Sequence, residues 1–386
     1  MKSTFSNYLL IVLFFGCIIF PTVDKRLSLT PISMYYTENR PLIKKPEFDV
    51  KQIAHYPEKF ESYYNDNFRL RGQIIKFYNK LCMSLFKKSP IPDKVIIGKQ
   101  GWLFLAGEDL SIYMGTNLFT PSELKKICRE LEYRRDYLAK RNCKFYIAII
   151  PSKTRIYNDY MPNNIDVLNP VGFSEQFIQY LRENSSLTVI NLFSELKERR
   201  KQGKIYFKTD NHWNDIGGYY GSQVIIKAMQ KDFPTLPDLP YNSIRIDSVQ
   251  KIGGYAAIML SIADEVNETI YTVHPITGAK SHEGKKHPYT SPENFKSNLE
   301  YEVVMERADT TLPKIVVIRD SFGNSLIPSF SESFSKSVYI LDNWEYKLNE
   351  DIINTEKPDI VLLSIYEPLL KNLRWHHSLK EKKRKK

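Results

Sequence analysis

The sequence predicts an α/β fold: a parallel sheet with helices on both faces, preceded by a membrane anchor and interrupted by a β-rich insertion. Three observations lead there. The apolar runs Lys144–Ile150 (KFYIAII), Leu187–Leu192 and Lys314–Ile318 (KIVVI) have the length of buried strands. Stretches of helical periodicity alternate with them, and strand–helix–strand connections place helices on the faces of a parallel sheet. Between residues 232 and 312 that alternation lapses into period-two runs with many Gly, Pro and Asn, which marks the insertion.

Taken in order, residues 1–26 form the anchor, 27–94 a lead-in, 95–375 the main domain and 376–386 a basic tail. The apolar run from Tyr8 to Phe20 is long enough to span a bilayer with its flanks. Three fates compete for it: cleavage, lipid attachment at Cys17, or retention. The residues after Phe20 (PTVDKR) lack the small-residue pattern of a cleavage site, and Phe14 and Phe15 fit a lipid-attachment motif poorly. The expectation is an uncleaved anchor.

In Pro57–Phe86, Phe60, Tyr63, Tyr64, Phe68, Ile74 and Ile75 open a helical periodicity that runs on to Leu85, and Ser89-Pro90-Ile91-Pro92 ends it. Val95–Leu105 (VIIGKQGWLFL) reads as a hairpin around Lys99-Gln100-Gly101. Thr120-Pro121-Ser122-Glu123 opens a helix with a capping box and Pro in the first turn. Helices are expected over Gly172–Glu183, Phe193–Arg200 and Asp215–Met229, and alternating runs over Ser243–Val249 and Thr269–His274. After Lys314–Ile318 come a helix from Phe322 and strands at Ser337–Leu341 and Asp359–Ile365.

Composition excludes several classes. With 42% hydrophobic and 13% aromatic residues the chain supports a packed core. The net charge of +11 draws on a terminal run, KEKKRKK, which reads as a solvated tail or an attraction to anionic membrane rather than a nucleic-acid surface. Four cysteines without CxxC spacing and seven histidines without an HExxH pattern imply neither a disulfide framework nor a metal site. No cofactor is implied.

Two stretches carry chemistry. Ser321 follows an apolar strand and precedes a helix, where the N–H groups of Ser321, Phe322 and Gly323 and the Asn324 side chain suit the oxyanion of a tetrahedral acyl intermediate. Asp320 or Ser321 equally suits a helix cap. Asp210-x-His212 puts a carboxylate and an imidazole on the same side of an extended segment, or else forms a surface turn. Together they are the parts of nucleophilic acyl chemistry.

The pair Thr209–Trp213 (TDNHW) and Ile318–Leu326 (IRDSFGNSL) resembles the SGNH-type hydrolase domain of the alginate O-acetyltransferase family, the AlgJ and AlgX proteins. Glu38-Asn39-Arg40, Asn65–Arg71, Gly98–Leu105 (GKQGWLFL) and Pro151–Tyr157 (PSKTRIY) with Met161-Pro162 resemble it too, in the family's order. The resemblance implies a three-layer α/β/α SGNH-hydrolase-like domain, with Ser321 as nucleophile, His212 as base and Asp210 as its partner. Gly323, Asn324, Arg319, Trp213, Lys153 and Tyr157 become candidates for shaping the site. Lys153 and Arg155 equally suit solvated charges, and Trp213 suits the core or a sugar-stacking platform.

The expectation is then an extracytoplasmic O-acetyltransferase, anchored at the cell membrane, that acetylates an exported polysaccharide and takes acetyl from a membrane-bound O-acyltransferase. The basic tail leaves no room for AlgX's carbohydrate-binding module, which favours an AlgJ-like layout. An acetylesterase with the same triad and a non-catalytic partner of a membrane acyltransferase are the alternatives.

Overall fold

The computed structural model describes residues 2–30, 42–287, 299–342 and 344–374, with residues 289, 291 and 295. Glu38-Asn39-Arg40 and the basic tail lie outside the described residues. The chain divides into two units: Met1–Val95 with Ile252–Asn267, and Ile96–Lys251 with Glu268–Lys386.

In the first unit, α1 (Lys2–Leu27) includes a stretch, Phe5–Leu27, long and apolar enough to cross a membrane. Near its end the Asp24 carboxylate accepts the N–H and hydroxyl of Thr30, both at 2.7 Å, and pairs with Arg69 Nε at 3.1 Å. The helical run expected over Pro57–Phe86 is two helices, α2 (Tyr56–Asn67) and α3 (Arg71–Leu85). Phe68 turns extended between them, and Arg69 leaves the helical path to reach Asp24.

The expected hairpin, β1 (Val95–Ile97) and β2 (Leu103–Leu105), starts at the boundary and leads into the second unit. Its turn takes Gln100 and Gly101 to positive φ. After α4 (Glu108–Met114) comes α5 (Pro121–Ala139), whose capping box joins Thr120 and Glu123 in both directions. The chain continues through β3 (Lys144–Ile150), α6 (Lys153–Ile156), α7 (Phe173–Asn184), β4 (Thr188–Asn191), α8 (Phe193–Arg199) and α9 (Asp215–Met229). The alternating runs become β5 (Ile244–Ile252) and β6 (Asn267–Pro275), a two-stranded sheet; α10 (Tyr255–Met259), between them in sequence, belongs to the first unit. Then follow β7 (His282–Glu283), β8 (Glu302–Glu306), β9 (Lys314–Arg319), α11 (Ile327–Phe330), β10 (Lys336–Leu341), α12 (Glu350–Glu356) and β11 (Ile360–Tyr366).

Seven strands form the main sheet in the order β4-β3-β11-β9-β10-β8-β7. The first five are parallel, as expected, but β8 and β7 extend the sheet antiparallel. The sheet is therefore mixed, and the 232–312 stretch supplies two of its strands rather than a wholly separate lobe. An antiparallel edge strand needs no crossover helix, so no strand–helix alternation announces it. Strand alternation sorts the core into two layers. Tyr146, Ala148 and Ile150 of β3 face one cluster with Tyr219, Ile225 and Met229 of α9. Phe145, Ile147 and Ile149 face the other, with Leu124, Ile127 and Leu131 of α5 and Ile352 of α12. The result is the three-layer α/β/α arrangement.

Candidate active site

Parallel strands direct their carboxyl ends to one rim of the sheet, where free backbone donors and loops gather. Ser321 stands there, two residues beyond β9. The helix expected from Phe322 is a tight 3₁₀ turn, Ser321–Ser325, followed by the short α11. Asp320 makes it tight: its Oδ1 accepts the Phe322 N–H at 2.8 Å and its carbonyl accepts the Gly323 N–H at 3.1 Å. The other carboxylate oxygen accepts the Tyr346 hydroxyl at 2.6 Å and the Tyr366 N–H at 2.7 Å. Burial pushes the Asp320 carboxyl above its ordinary range, against the pull of those donors.

Asp320 is thus the cap, and Ser321 is released from that duty. The Phe322 and Gly323 N–H groups, expected as oxyanion donors, are taken by Asp320. The Ser321 N–H has no acceptor among the described residues. Arg319, 1% exposed, does not open to a substrate; its Nη1 donates to Asn324 Oδ1 at 2.6 Å. A guanidinium only donates, so the amide oxygen must face Arg319, which leaves Asn324 Nδ2 for another acceptor. Burial pulls the Arg319 guanidinium down to about 10. Gly323 is required by space: a Cβ there would stand 2.5 Å from Arg319 Cδ.

Asp210 and His212 sit on a loop closed by a bridge between Tyr206 and Trp213 and by the Phe207 N–H donating to the His212 carbonyl at 3.1 Å. Residues 208–212 are bends, not the extended segment expected. What brings the two side chains together is an Asx turn: Asp210 Oδ1 accepts the His212 backbone N–H at 2.9 Å and lies 2.7 Å from His212 Nδ1. A carboxylate only accepts, so Nδ1 carries the proton and Nε2 is left as acceptor. Ser321 Oγ lies 2.8 Å from that Nε2. The His212 side chain keeps 32% of its surface exposed, so the relay is open to solvent.

Other predicted residues stand behind this loop. Lys153, 1% exposed, is not a solvated charge: its Nζ donates to the carbonyls of Leu103 (2.6 Å), Lys208 (2.9 Å) and Asp210 (2.8 Å). Three carbonyls match the three N–H donors of an ammonium. Burial pulls that ammonium down to about 7, while Asp210, Glu268 and Asp109 hold it up. Arg155 is likewise engaged, with Glu367 and Glu175. The Tyr157 hydroxyl accepts the Ile205 N–H at 3.1 Å and its ring stacks on Trp102. Trp213 is fully buried and so cannot serve as a sugar platform. Its Nε1 donates to the Phe322 carbonyl at 2.7 Å, tying the histidine loop to the serine turn.

Sequence reasoning missed three supports. Glu268 accepts both the N–H and the hydroxyl of Thr209 at 2.6 Å, and nothing local marks it. Phe322 places its ring 4.6 Å from that of His212 and stacks at 3.8 Å on Tyr366 from the end of β11.

With this geometry in view, similarity to known proteins is informative. Residues 95–275 match the family model described as the SGNH hydrolase-like domain of the acetyltransferase AlgX. Over that stretch the chain is similar to an SGNH hydrolase-like domain. The matched stretch holds Asp210 and His212 and ends before Ser321, which joins them through the fold. The chain is 24% identical to the probable alginate O-acetylase AlgJ of Pseudomonas syringae pv. tomato over 45% of its own length and 42% of that protein's. It is 26% identical to the AlgJ of Pseudomonas aeruginosa over 43% and 39%. The chain thus spans less than half the length of these curated relatives. The structure of Bacillus cereus PatB1 with a sulfonyl adduct covers 74% of this chain and all of that one, with a TM-score of 0.54 and 17% identity. That likeness is one of fold alone.

Proposed function

We propose that this protein is an extracytoplasmic O-acetyltransferase that acetylates an exported or cell-surface polysaccharide through an acetyl-Ser321 intermediate. The observation that carries the reading is the unbroken relay from Ser321 Oγ through His212 to Asp210, at 2.8 and 2.7 Å. In the first step His212 Nε2 takes the proton from Ser321 as Oγ attacks the acetyl carbonyl carbon. The imidazolium that forms carries both protons and is stabilised by the Asp210 carboxylate on Nδ1. The Ser321 N–H and Asn324 Nδ2 are the donors offered to the oxyanion. His212 then returns its proton to the leaving group, and the acetyl group remains on Ser321. In the second step a sugar hydroxyl gives its proton to Nε2 and attacks the ester, releasing the acetylated sugar and restoring the serine.

The acetyl donor in this scheme is a membrane-bound O-acyltransferase, and α1 holds the protein at the membrane with its second unit in the periplasm or extracellular space. The apolar length of α1 and the AlgJ-like relatives support that placement. Supplying the protein with an activated acetyl ester and a panel of oligosaccharides tests the transfer. Acetylated sugar formed by the wild type and absent in Ser321→Ala is expected. Free acetate alone would mean that water is the acceptor and the protein an esterase, and polysaccharide acetylation undiminished in cells that carry Ser321→Ala would make it a non-catalytic partner.

A further inference from the structure

Helix α3 is built inside out. An amphipathic helix at a protein surface turns its apolar stripe to the core and its charges to water. In α3 the two fully buried residues are Gly72 and Asn79. Asn79 Nδ2 donates to the Leu260 carbonyl at 2.9 Å, and Lys76 pairs with Asp264 at 2.6 Å and Glu265 at 2.9 Å, all within the first unit. The opposite face carries Ile74, Phe77, Tyr78, Leu81 and Leu85 at helical spacing, every one exposed, Phe77 by 69% and Leu85 by 65%. A helix that spends its polar side on internal ion pairs and leaves its apolar side outward is arranged for apolar surroundings.

The place of α3 says what those surroundings are. The membrane-crossing stretch of α1 ends in Asp24, Lys25 and Arg26, the first charges after its apolar run. Asp24 is fully buried and bound to Arg69, two residues before α3 begins, and Lys25 and Thr22 reach Tyr63 and Tyr64 of α2, each at 3.4 Å. The start of α3 is therefore fixed to the point where α1 leaves the bilayer. Aromatic residues and lysines that flank an apolar stripe favour the headgroup boundary. Phe77, Tyr78 and Phe86 are aromatics of that kind, and Lys87 and Lys88 follow directly, all exposed. We infer that α3 lies in the membrane interface, its Ile74–Leu85 face among the upper acyl chains and its flanking lysines at anionic headgroups.

This inference rests on α1 crossing the membrane, and the experiment reads the two separately. The full chain is reconstituted alone into phosphatidylethanolamine–phosphatidylglycerol vesicles containing a phospholipid with a photoreactive diazirine high on one acyl chain. After illumination, lipid adducts are mapped by mass spectrometry. Adducts on both α1 and the exposed face of α3 are expected, and those on α3 are lost in Phe77→Glu/Leu81→Glu while those on α1 persist. Adducts on α1 alone would overturn the inference and leave the α3 face to a protein partner. Adducts on α3 without α1 would overturn the anchor and, with it, the seating of α3 beside the end of α1. Labelling of neither would overturn both. A melting curve of the double variant matching the wild type shows that the lost adducts report contact rather than unfolding.

Discussion

Ser321 stands on a turn shaped mainly by its own neighbours, whereas His212 stands on a loop whose local closure is backed by buried groups far away in sequence. On the serine side, Asp320 caps the turn, Gly323 makes room for Arg319, and Arg319 orients Asn324, all within six residues. On the histidine side the Asx turn, the Tyr206–Trp213 bridge and the Phe207 N–H on the His212 carbonyl are local. The rest is Lys153 gathering three carbonyls, Glu268 taking Thr209, and Trp213 reaching Phe322. A turn next to a strand end inherits rigidity from the sheet, while an irregular loop must borrow it from buried polar groups.

That contrast predicts where damage spreads. Lys153→Met should have the largest effect, because it strips buried carbonyls of their donor and lets His212 drift. About 3 kcal/mol of stability should be lost, and turnover of an acetyl ester should fall with it, read by melting and kinetics together. If stability and turnover were both unchanged, the loop would not depend on the lysine.

Asn324→Ala should break chemistry without breaking the fold. Loss of one oxyanion donor costs about 10²- to 10³-fold in kcat, and the melting temperature should stay close to that of the wild type. Equal loss of kcat and stability would instead make Asn324 a structural partner of Arg319. Gly323→Ala should act in the reverse sense, pressing a Cβ against Arg319 at a cost of about 1–3 kcal/mol. Its catalytic loss should follow from a displaced Asn324, so the double variant with Asn324→Ala should be little slower than Asn324→Ala alone.

The smallest effect concerns charge behind the loop. Burial pushes Asp109, one of the carboxylates acting on Lys153, from an ordinary 3.8 up to about 7. Between those values the folded chain keeps a proton that the unfolded chain has released. The stability this contributes is complete below 3.8 and is lost as pH rises to about 7. Asp109→Asn removes the dependence, so its melting temperature should gain on the wild type across that window and track it above. A constant difference across the window would contradict the raised carboxyl.

The same contrast explains what was legible in the sequence. The serine turn was, because strand, Ser and Gly are consecutive, and the capping box at Thr120 and the runs that became β3, β9 and β11 were legible for the same local reason. The Asp210–His212 pairing is legible as a motif, although an Asx turn and not strand alternation brings the two side chains together. Residues joined only by folding were not legible. Glu268 lies 59 residues from Thr209. β8 enters the sheet by pairing with β10 beyond it in sequence. Trp213 and Phe322 meet across 109 residues. The split of Pro57–Phe86 into α2 and α3 depends on an ion pair with Asp24, which no local pattern contains.

The most direct test of the account is the covalent intermediate. The protein is incubated with a chromogenic acetyl ester, quenched in acid, and weighed intact before peptide mapping. An acetyl adduct on Ser321, absent in Ser321→Ala and in His212→Ala, is the predicted result. Folded wild-type protein that turns over the ester with no adduct on Ser321, or with the adduct on another residue, would contradict it.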